Sequence, residues 1–229
     1  MEVVGMKELL AKIKRPFPKF SVVPGKTALL LIDMQKLAGV DWIVEEAVEK
    51  GIPEEVAREA VVEMDKRIRK VLGNARRILE ACRKEGIDRI HVKIEAKTKD
   101  GRDVGKLHRL HNFIIPPGSE WAEFFEEVKP ENGEIVLTKT CSGAFAGTDL
   151  DRILRNLGIE TLIIVGFYTE QCVETAARDA ADIGYNTILV EDACATLTEE
   201  LHVNSIEALR DTYVKVETTE SIVREIEKL

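Results

Sequence analysis

The sequence predicts a three-layer α/β/α protein built on a doubly wound, mostly parallel sheet of six strands. Two observations predict this class: short apolar runs next to turn residues, and amphipathic segments that alternate with those runs along the chain. The composition agrees, because 45% hydrophobic residues in a chain of 229 are enough for one large core. We therefore predict a single domain over residues 1–229, in which residues 1–24 form an N-terminal extension.

The first half of the chain is predicted to supply three strands and one long helix. Residues 27–33 form a continuous apolar run that ends in Asp33, which is typical of a buried parallel strand. From residue 53 to residue 85 apolar side chains recur every three or four positions, which predicts an amphipathic helix. The polar segment 97–117 is predicted to be a functional loop. It separates two further predicted strands, at residues 89–94 and 135–139.

The second half alternates strand and helix without interruption. The predicted strands cover residues 161–165, 187–191 and 213–216. The predicted helices cover residues 149–156, 171–183, 199–211 and 221–228. Such alternation implies right-handed crossovers, with ligands bound outside the carboxyl ends of the strands. This rule selects Asp33, Lys139 and the turn 166–172 as neighbours at one edge of the sheet.

Charge and cysteine content exclude several classes of protein. The 33 Lys and Arg against 41 Asp and Glu give a net charge of −8, so there is no basic excess for nucleic-acid binding. No apolar run approaches the ~18 residues that cross a bilayer, and no signal-peptide pattern is found, so we expect a cytoplasmic protein without membrane contact. The four cysteines lack C-x-x-C spacing, which indicates neither a disulfide framework nor a zinc site.

Cys172 follows a strand and a glycine-led turn, at a point where a helix is predicted to begin. There the free N–H groups and the partial positive charge of the helix lower the pKa of a thiol and can bind an oxyanion. Cys172 is therefore a candidate nucleophile. The alternative is that it is a small buried hydrophobic residue, and its position leaves both interpretations open.

Asp33 and Lys139 could serve such a thiol from neighbouring strand ends. A carboxylate at that edge of the sheet is suited to carry a proton from and to the reacting groups. The lysine could hold carboxylate and thiolate in place through charge-assisted contacts. Taken singly, each residue has an ordinary alternative, which is a helix N-cap for Asp33 and a solvated strand-end lysine for Lys139.

Six segments of the chain together resemble a known family of enzymes. They are residues 27–35 (TALLLIDMQ), 135–139 (IVLTK), 144–150 (AFAGTDL), 172–180 (CVETAARDA), 184–185 (GY) and 190–195 (VEDACA). On these motifs the chain resembles the isochorismatase-like cysteine hydrolases, which include nicotinamidases and the N-carbamoylsarcosine, ureidoacrylate and biuret amidohydrolases. The resemblance covers residues 26–219 and implies the Rossmann-like fold of that family. It also implies a catalytic triad, which falls on Asp33, Lys139 and Cys172.

The resemblance implies a mechanism for cleaving a carbon–nitrogen bond of a small linear amide, carbamoyl or ureido compound. Asp33 takes the proton of the Cys172 thiol, the thiolate attacks the carbonyl, and Asp33 protonates the departing amine. Water then hydrolyses the thioester. The family also has a non-proline cis peptide before the nucleophile, which by position is Phe167–Tyr168. We expect it to aim the backbone N–H groups of Tyr168 and Cys172 at the oxyanion.

Three alternatives stay open: isochorismate-type vinyl-ether hydrolysis by the acid alone, nicotinamidase activity, and a catalytically silent binding module of the same fold. Nicotinamidase is less favoured, because the metal ligands that the resemblance implies are absent from residues 90–97. His108 and His111 are spaced i,i+3 and could be metal ligands, but such a pair is more often on the surface. We expect no metal, and no other cofactor.

The remaining expectations concern the substrate and the assembly. Gln35, Phe145 and Tyr168 are candidate substrate-binding residues, because they lie in predicted strand-end loops; an aromatic side chain there more often packs in the core or a lid. Cys141 could be a second reactive thiol or a packed loop residue. We expect a small-molecule substrate as the partner. We also expect a homo-oligomer, a dimer or tetramer, because the family commonly associates and the helix 53–85 has a wide apolar stripe.

Overall fold

A sheet of six parallel strands lies at the centre of the computed structural model, which describes residues 5–13 and 16–229. The strands are β1 (Thr27–Ile32), β2 (Asp88–Ile94), β3 (Ile135–Lys139), β4 (Thr161–Phe167), β5 (Asn186–Ala195) and β6 (Lys215–Glu217). Their order across the sheet is β3-β2-β1-β4-β5-β6, and every neighbouring pair is parallel. The chain winds outward from β1 in one direction and from β4 in the other. The predicted fold class is therefore confirmed.

Helices cover both faces of this sheet. The α-helices of the described residues are α1 (Met6–Ile13), α2 (Val40–Glu49), α3 (Glu54–Ala60), α4 (Val62–Lys84), α5 (Lys106–Leu110), α6 (Leu150–Asn156), α7 (Glu174–Asp182), α8 (Glu199–Leu209) and α9 (Thr219–Ile226). Successive strand residues point to opposite faces. Leu29 and Leu31 of β1 therefore join the core formed with α4 and α9, whereas Leu30 and Ile32 join the core formed with α6, α7 and α8.

The helices differ from the prediction in four places. The periodic segment 53–85 forms two helices, because the chain turns at Val61 so that α3 packs against α2 while α4 packs on the sheet. Helices α1 and α2 were not predicted, and α5 lies inside the segment 97–117 that was predicted to be a loop. Of the predicted N-terminal extension, residues 1–4 and 14–15 lie outside the described residues.

The apolar stripe of α4 faces the interior of the protein. Its buried members are Met64, Ile68, Val71, Leu72, Ala75, Ile78, Leu79, Ala81 and Cys82. They belong to the core on one face of the sheet, so the stripe is already covered within one chain. Val56 and Val62, which belong to the same predicted segment, are 55% and 45% exposed, so this burial removes only part of the argument from the stripe. The expected homo-oligomer remains a prediction. None of the described helices combines the length and the apolarity that crossing a membrane requires.

The switch point of the sheet lies between β1 and β4, where Thr27 pairs with Thr161 and Ile32 with Gly166. Gly166 has a φ of 138°, and a Cβ atom at this position would lie 2.0 Å from the carbonyl oxygen of Ile32. Only glycine therefore lets the two backbones approach so closely. Because Asp33 directly follows Ile32, this contact fixes where the first predicted site residue lies.

A buried ion cluster lies near the amino ends of β2 and β3, at the opposite end of the sheet from Asp33. The side chain of Glu134 is 1% exposed and accepts hydrogen bonds from Arg83 at 2.8 and 3.0 Å and from Arg89 at 3.1 Å. Its Oε2 atom also lies 2.9 Å from Nε2 of His91. Burial works to raise the pKa of Glu134, but these contacts outweigh it and hold the pKa at about 2. The cluster thus ties β2, β3 and the end of α4 together.

Replacing Glu134 with glutamine is expected to lower the free energy of unfolding at pH 7 by about 3 kcal/mol. This is the stabilisation that a carboxyl group contributes when folding lowers its pKa from 4.5 to about 2. The native carboxyl has the lower pKa, so its contribution is full above pH 4.5 and is lost as the pH falls towards 2. Urea denaturation of both proteins should therefore give a difference that shrinks on acidification.

The matched control is Glu131→Gln. Glu131 contacts the same Arg83 at 3.2 Å, but its side chain is 67% exposed. Its loss should change the free energy of unfolding by less than about 1 kcal/mol. Equal destabilisation by the two substitutions would contradict the special contribution of the buried carboxylate.

Candidate active site

The three predicted catalytic side chains meet at the carboxyl edge of the sheet. Asp33 directly follows β1, Lys139 is the last residue of β3, and Cys172 lies in the turn after β4. The Nζ atom of Lys139 lies 2.8 Å from Oδ2 of Asp33 and 3.3 Å from Sγ of Cys172. Because β2 separates β3 from β1, the lysine reaches across the end of β2. One ammonium group thus contacts both the acid and the thiol.

The burial of this group decides between the alternatives that the sequence left open. Lys139 is fully buried, which excludes a solvated strand-end lysine. Asp33 is 4% exposed, and the next helical turn has Gln35 and not Asp33 as its N-cap residue. The Oδ1 atom of Asp33 has no hydrogen-bond partner within the described part of the chain. The carboxylate therefore keeps an acceptor for an incoming group.

Burial also sets the protonation of the three groups. It raises the pKa of the Asp33 carboxyl, against the opposing effect of the Lys139 ammonium. Burial alone would lower the pKa of Lys139, but the contacts with Asp33 and Cys172 outweigh it, so this pKa is raised. Burial, followed by the charge of Asp33, raises the pKa of the Cys172 thiol to about 12.

The predicted lowering of the thiol pKa is therefore wrong. The argument from the helix terminus considered only the field of the backbone and omitted withdrawal of the sulfur from water, which is the larger effect for a side chain that is 6% exposed. At neutral pH Cys172 rests as a thiol. Forming the nucleophilic thiolate requires a base that takes the proton, and Asp33 is the carboxylate at the site.

The turn that carries Cys172 is a π-helix over Thr169–Val173, and α7 begins only after it. The carbonyl oxygen of Tyr168 accepts hydrogen bonds from two N–H groups of this turn, those of Gln171 at 3.1 Å and Val173 at 3.3 Å. The Phe167–Tyr168 peptide bond is cis, as the resemblance implies. The turn thus places Cys172 just beyond the carboxyl end of β4.

Polar side chains of α8 contact this turn and the first residue of α7. Thr169 Oγ1 lies 2.8 Å from Nδ1 of His202, and the hydroxyl of Ser205 donates to Glu174 at 2.5 Å. Arg178 binds the same Glu174 at 2.7 Å. No sequence pattern indicates these contacts, because the link between α8 and the turn exists only in the folded chain.

A pocket of about 400 Å³ opens beside Cys172. Among the predicted site residues, Asp33, Cys172 and Tyr168 line it. The Tyr168 hydroxyl donates a hydrogen bond to the carbonyl oxygen of Ala38 at 3.2 Å, which fixes the ring in the wall. The volume is near the lower end of the range for small-molecule sites, so the pocket suits a small ligand.

Gln35 and Phe145, the other two candidate substrate contacts, do not line this pocket. The side-chain amide of Gln35 donates to the carbonyl oxygens of Ile94 at 2.9 Å and Ala122 at 3.1 Å, and its oxygen accepts from the N–H of Ile94 at 2.7 Å. Every polar atom of the Gln35 side chain is thus used to join the ends of β1 and β2. Phe145 packs near Tyr185, with ring centroids 6.1 Å apart. The structure gives both residues structural roles in place of the predicted ones.

Part of the pocket wall comes from the segment 97–117, which was predicted to be functional. His108 of α5 is 8% exposed and not at the surface; its Nε2 atom lies 3.4 Å from the hydroxyl of Ser142. Its ring packs edge-on against Phe113 at 5.1 Å. Sequence reasoning considered His108 and His111 only as metal ligands or a surface pair. Within residues 5–13 and 16–229, no three His, Cys, Asp or Glu side chains are placed to hold a metal ion.

Cys141 contributes its backbone to the site. Its carbonyl oxygen accepts a hydrogen bond from Nζ of Lys139 at 3.1 Å, which adds a third contact to that ammonium. Its thiol points to its own loop and donates to the carbonyl oxygen of Gly143 at 3.5 Å. These contacts favour the packed loop residue over the second reactive thiol.

The fold and the site together define an α/β protein with a buried acid, lysine and cysteine at the switch point of its sheet. The family model described as Isochorismatase domain matches residues 27–221. The chain therefore belongs to the isochorismatase family of hydrolases.

Individual relatives agree with this assignment. An uncharacterised isochorismatase family protein of Bacillus subtilis (strain 168) is 30% identical over 88% of this chain and 94% of its own length. N-carbamoylsarcosine amidase of an Arthrobacter species is 26% identical over 69% of this chain and 62% of its own. Among solved structures, a cysteine hydrolase from Pseudomonas syringae pv. phaseolicola 1448A covers 94% of this chain and 99% of its own, with a TM-score of 0.77 and 23% identity. That last similarity bears on the fold alone.

Proposed function

We propose that this protein is a cysteine hydrolase that cleaves the carbon–nitrogen bond of a small amide, carbamoyl or ureido compound. One observation carries the proposal: the buried Lys139 ammonium lies 3.3 Å from the Cys172 sulfur and 2.8 Å from the Asp33 carboxylate. A thiol, a proton carrier and a fixed cation are the groups that nucleophilic acyl transfer needs. The similarity to N-carbamoylsarcosine amidase supports a carbon–nitrogen bond as the target.

In the first half of the proposed reaction, Asp33 takes the proton of the Cys172 thiol while the sulfur bonds to the substrate carbonyl carbon. The carbonyl oxygen becomes an oxyanion, which the backbone N–H groups of Tyr168 and Cys172 bind. The carbon–nitrogen bond then breaks, and Asp33 returns its proton to the nitrogen, which leaves as a neutral amine or ammonia. The product on the enzyme is a thioester.

In the second half, water attacks the thioester carbonyl and gives its proton to Asp33. The carbon–sulfur bond breaks, the acid product leaves, and Asp33 returns the proton to the sulfur. The carboxylate thus acts as base and acid twice in one cycle, and a raised pKa suits this exchange because it brings the carboxyl closer to neutral pH. Lys139 stays protonated throughout and keeps the carboxylate and the sulfur in contact.

The test is the substitution Cys172→Ala, with Cys141→Ala as the matched control. We expect Cys172→Ala to lower kcat/KM by at least about 10³-fold on whichever amide of a panel the wild type hydrolyses, because no thioester can form. Cys141→Ala should change it by less than about threefold, since its backbone makes the contact. Ammonia release measures turnover across nicotinamide, N-carbamoylsarcosine, biuret, ureidoacrylate and simple primary amides.

Mass spectrometry of the rapidly quenched wild type should show an acyl adduct on the peptide that contains Cys172. Turnover that survives in Cys172→Ala would contradict thioester chemistry and would favour acid-only cleavage of a vinyl ether. A panel that gives neither turnover nor adduct would favour the catalytically silent binding module.

A further inference from the structure

The pocket beside Cys172 has no net formal charge. Asp33 is the only Asp, Glu, Lys or Arg among the described residues that line it. Its carboxylate is matched at 2.8 Å by the ammonium of Lys139. A ligand that enters the pocket therefore meets an acid–base pair that is already neutralised, and no Lys or Arg of the described lining is left to pair with a second anionic group.

The remaining wall is mainly apolar. Leu37, Ile94, Phe113 and Phe167 all contribute to it, and the polar side chains beside them carry amide, hydroxyl and imidazole groups. Burial, with the nearby charge of Lys139, lowers the pKa of the imidazole of His108, so this ring is neutral at pH 7. The wall thus offers hydrogen bonds and apolar surface.

Cations do occur on the helix that forms this wall, but on its solvent side. Lys106 and Arg109 of α5 are exposed and do not line the pocket. The helix is held in place at its start, where the N–H of Gly105 donates to the carbonyl oxygen of Thr140 at 2.9 Å. The sequence of α5 places Leu107 and His108 on the pocket side, between the two cations.

We propose that this site selects uncharged amides with a compact apolar body and rejects amides that carry a carboxylate. This inference rests on the proposed function and names its substrate class. A carboxylate taken into the pocket would lose its hydration and gain no Lys or Arg partner among the described lining residues, which disfavours its binding. N-carbamoylsarcosine, which carries a carboxylate at neutral pH, is by this argument a poor substrate of this chain although a relative is named for it.

The test uses two amides of nearly equal shape. In 4-methylpentanamide two methyl groups occupy the places of the two carboxylate oxygens of succinamate. We expect kcat/KM of the wild type to be at least about 100-fold higher for 4-methylpentanamide. Affinity is measured separately on Cys172→Ala by calorimetry, where the neutral amide should again bind more tightly.

Two arginine substitutions on α5, one at the pocket and one away from it, form a matched pair of variants. Leu107 lines the pocket and is 60% exposed, so Leu107→Arg places a guanidinium at the pocket without disturbing the core. Leu110, on the same helix, is 73% exposed and does not line the pocket. We expect L107R to reduce the preference for the neutral amide at least about tenfold and L110R to leave it within about twofold, because an ion pair requires contact.

Each outcome decides one question. Equal turnover of both amides, or a preference that L107R and L110R alter equally, would overturn the selectivity inference while leaving the cysteine hydrolase in place. Selective binding of 4-methylpentanamide to Cys172→Ala without turnover by the wild type would support the selectivity and overturn the proposed function.

Discussion

Replacing Lys139 with methionine is expected to abolish turnover and to destabilise the fold at the same time. Methionine has a similar length, so it leaves no large cavity, but it removes the ammonium that contacts Asp33 and Cys172. We expect kcat/KM to fall by at least about 10³-fold, because the carboxylate and thiol lose the group that holds them together. The free energy of unfolding at pH 7 should fall by about 3 kcal/mol, since an unpaired carboxylate stays buried.

The pH dependence of this variant identifies the cause. Without the ammonium the pKa of Asp33 rises further, so the native state favours the protonated acid more strongly than the unfolded chain does. Relative to wild type, K139M should therefore be least destabilised at low pH and lose stability as the pH rises through the native pKa of Asp33. Denaturant unfolding between pH 4 and pH 8 measures this trend.

The double substitution Asp33→Asn with Lys139→Met is the control, because it removes both charges. It should recover most of the lost stability, remain inactive, and show no pH-dependent deficit. If K139M is inactive but as stable as the wild type at every pH, the result would contradict a stabilising ion pair between Lys139 and Asp33.

Replacing Gly166 with alanine is expected to have the largest effect on the fold. The new Cβ would lie 2.0 Å from the carbonyl oxygen of Ile32, and the backbone would have to keep a φ of 138°. Overpacking and the left-handed backbone together should cost about 4 kcal/mol, with a fall in Tm of about 10 °C or more. Because Ile32 precedes Asp33, the protein that remains folded should also lose activity. Calorimetry and ammonia release measure the two effects.

Two other glycines provide controls of graded effect. Gly158 has a φ of 72°, and a Cβ atom added there would have no atom of the described residues within 4 Å, so Gly158→Ala should cost only about 1 kcal/mol of backbone strain. Gly73 lies inside α4, where the described part of the chain leaves open space for a Cβ atom, and Gly73→Ala should stabilise the protein by about 0.5–1 kcal/mol. A Gly166→Ala variant as stable as Gly158→Ala would show that the two strands separate easily.

Much of the site could be predicted from the sequence, because parallel strands place their carboxyl ends at one edge. The apolar run before Asp33 and the regular alternation after residue 150 define the sheet without any knowledge of contacts. Lys139 and Cys172 then fall at the same edge by topology alone. The resemblance implies catalytic roles for the same three residues; the structure brings their side chains together, and the roles themselves stay a proposal.

Other features depend on contacts that no local pattern encodes. Gln35 follows the first strand as a binding residue would, yet its amide is consumed by the backbone of Ile94 and Ala122. The raised pKa of Cys172 depends on how fully the folded chain covers the sulfur. The turn at Val61 is invisible in a periodic pattern that continues through it. His108 became a wall residue only because Phe113 and Ser142 fold around it.

The pairing of β1 with β4 also has a consequence for the order in which the chain can fold. Thr27 and Thr161 are adjacent in the sheet, so the half-sheet β3-β2-β1 is synthesised before the strand that covers its inner edge. Until β4 arrives, β1 presents an unpaired and largely apolar edge, which is the kind of surface that promotes aggregation of a nascent chain. The same late strand brings the turn with Cys172, so the thiol first meets its acid when the exposed edge is closed.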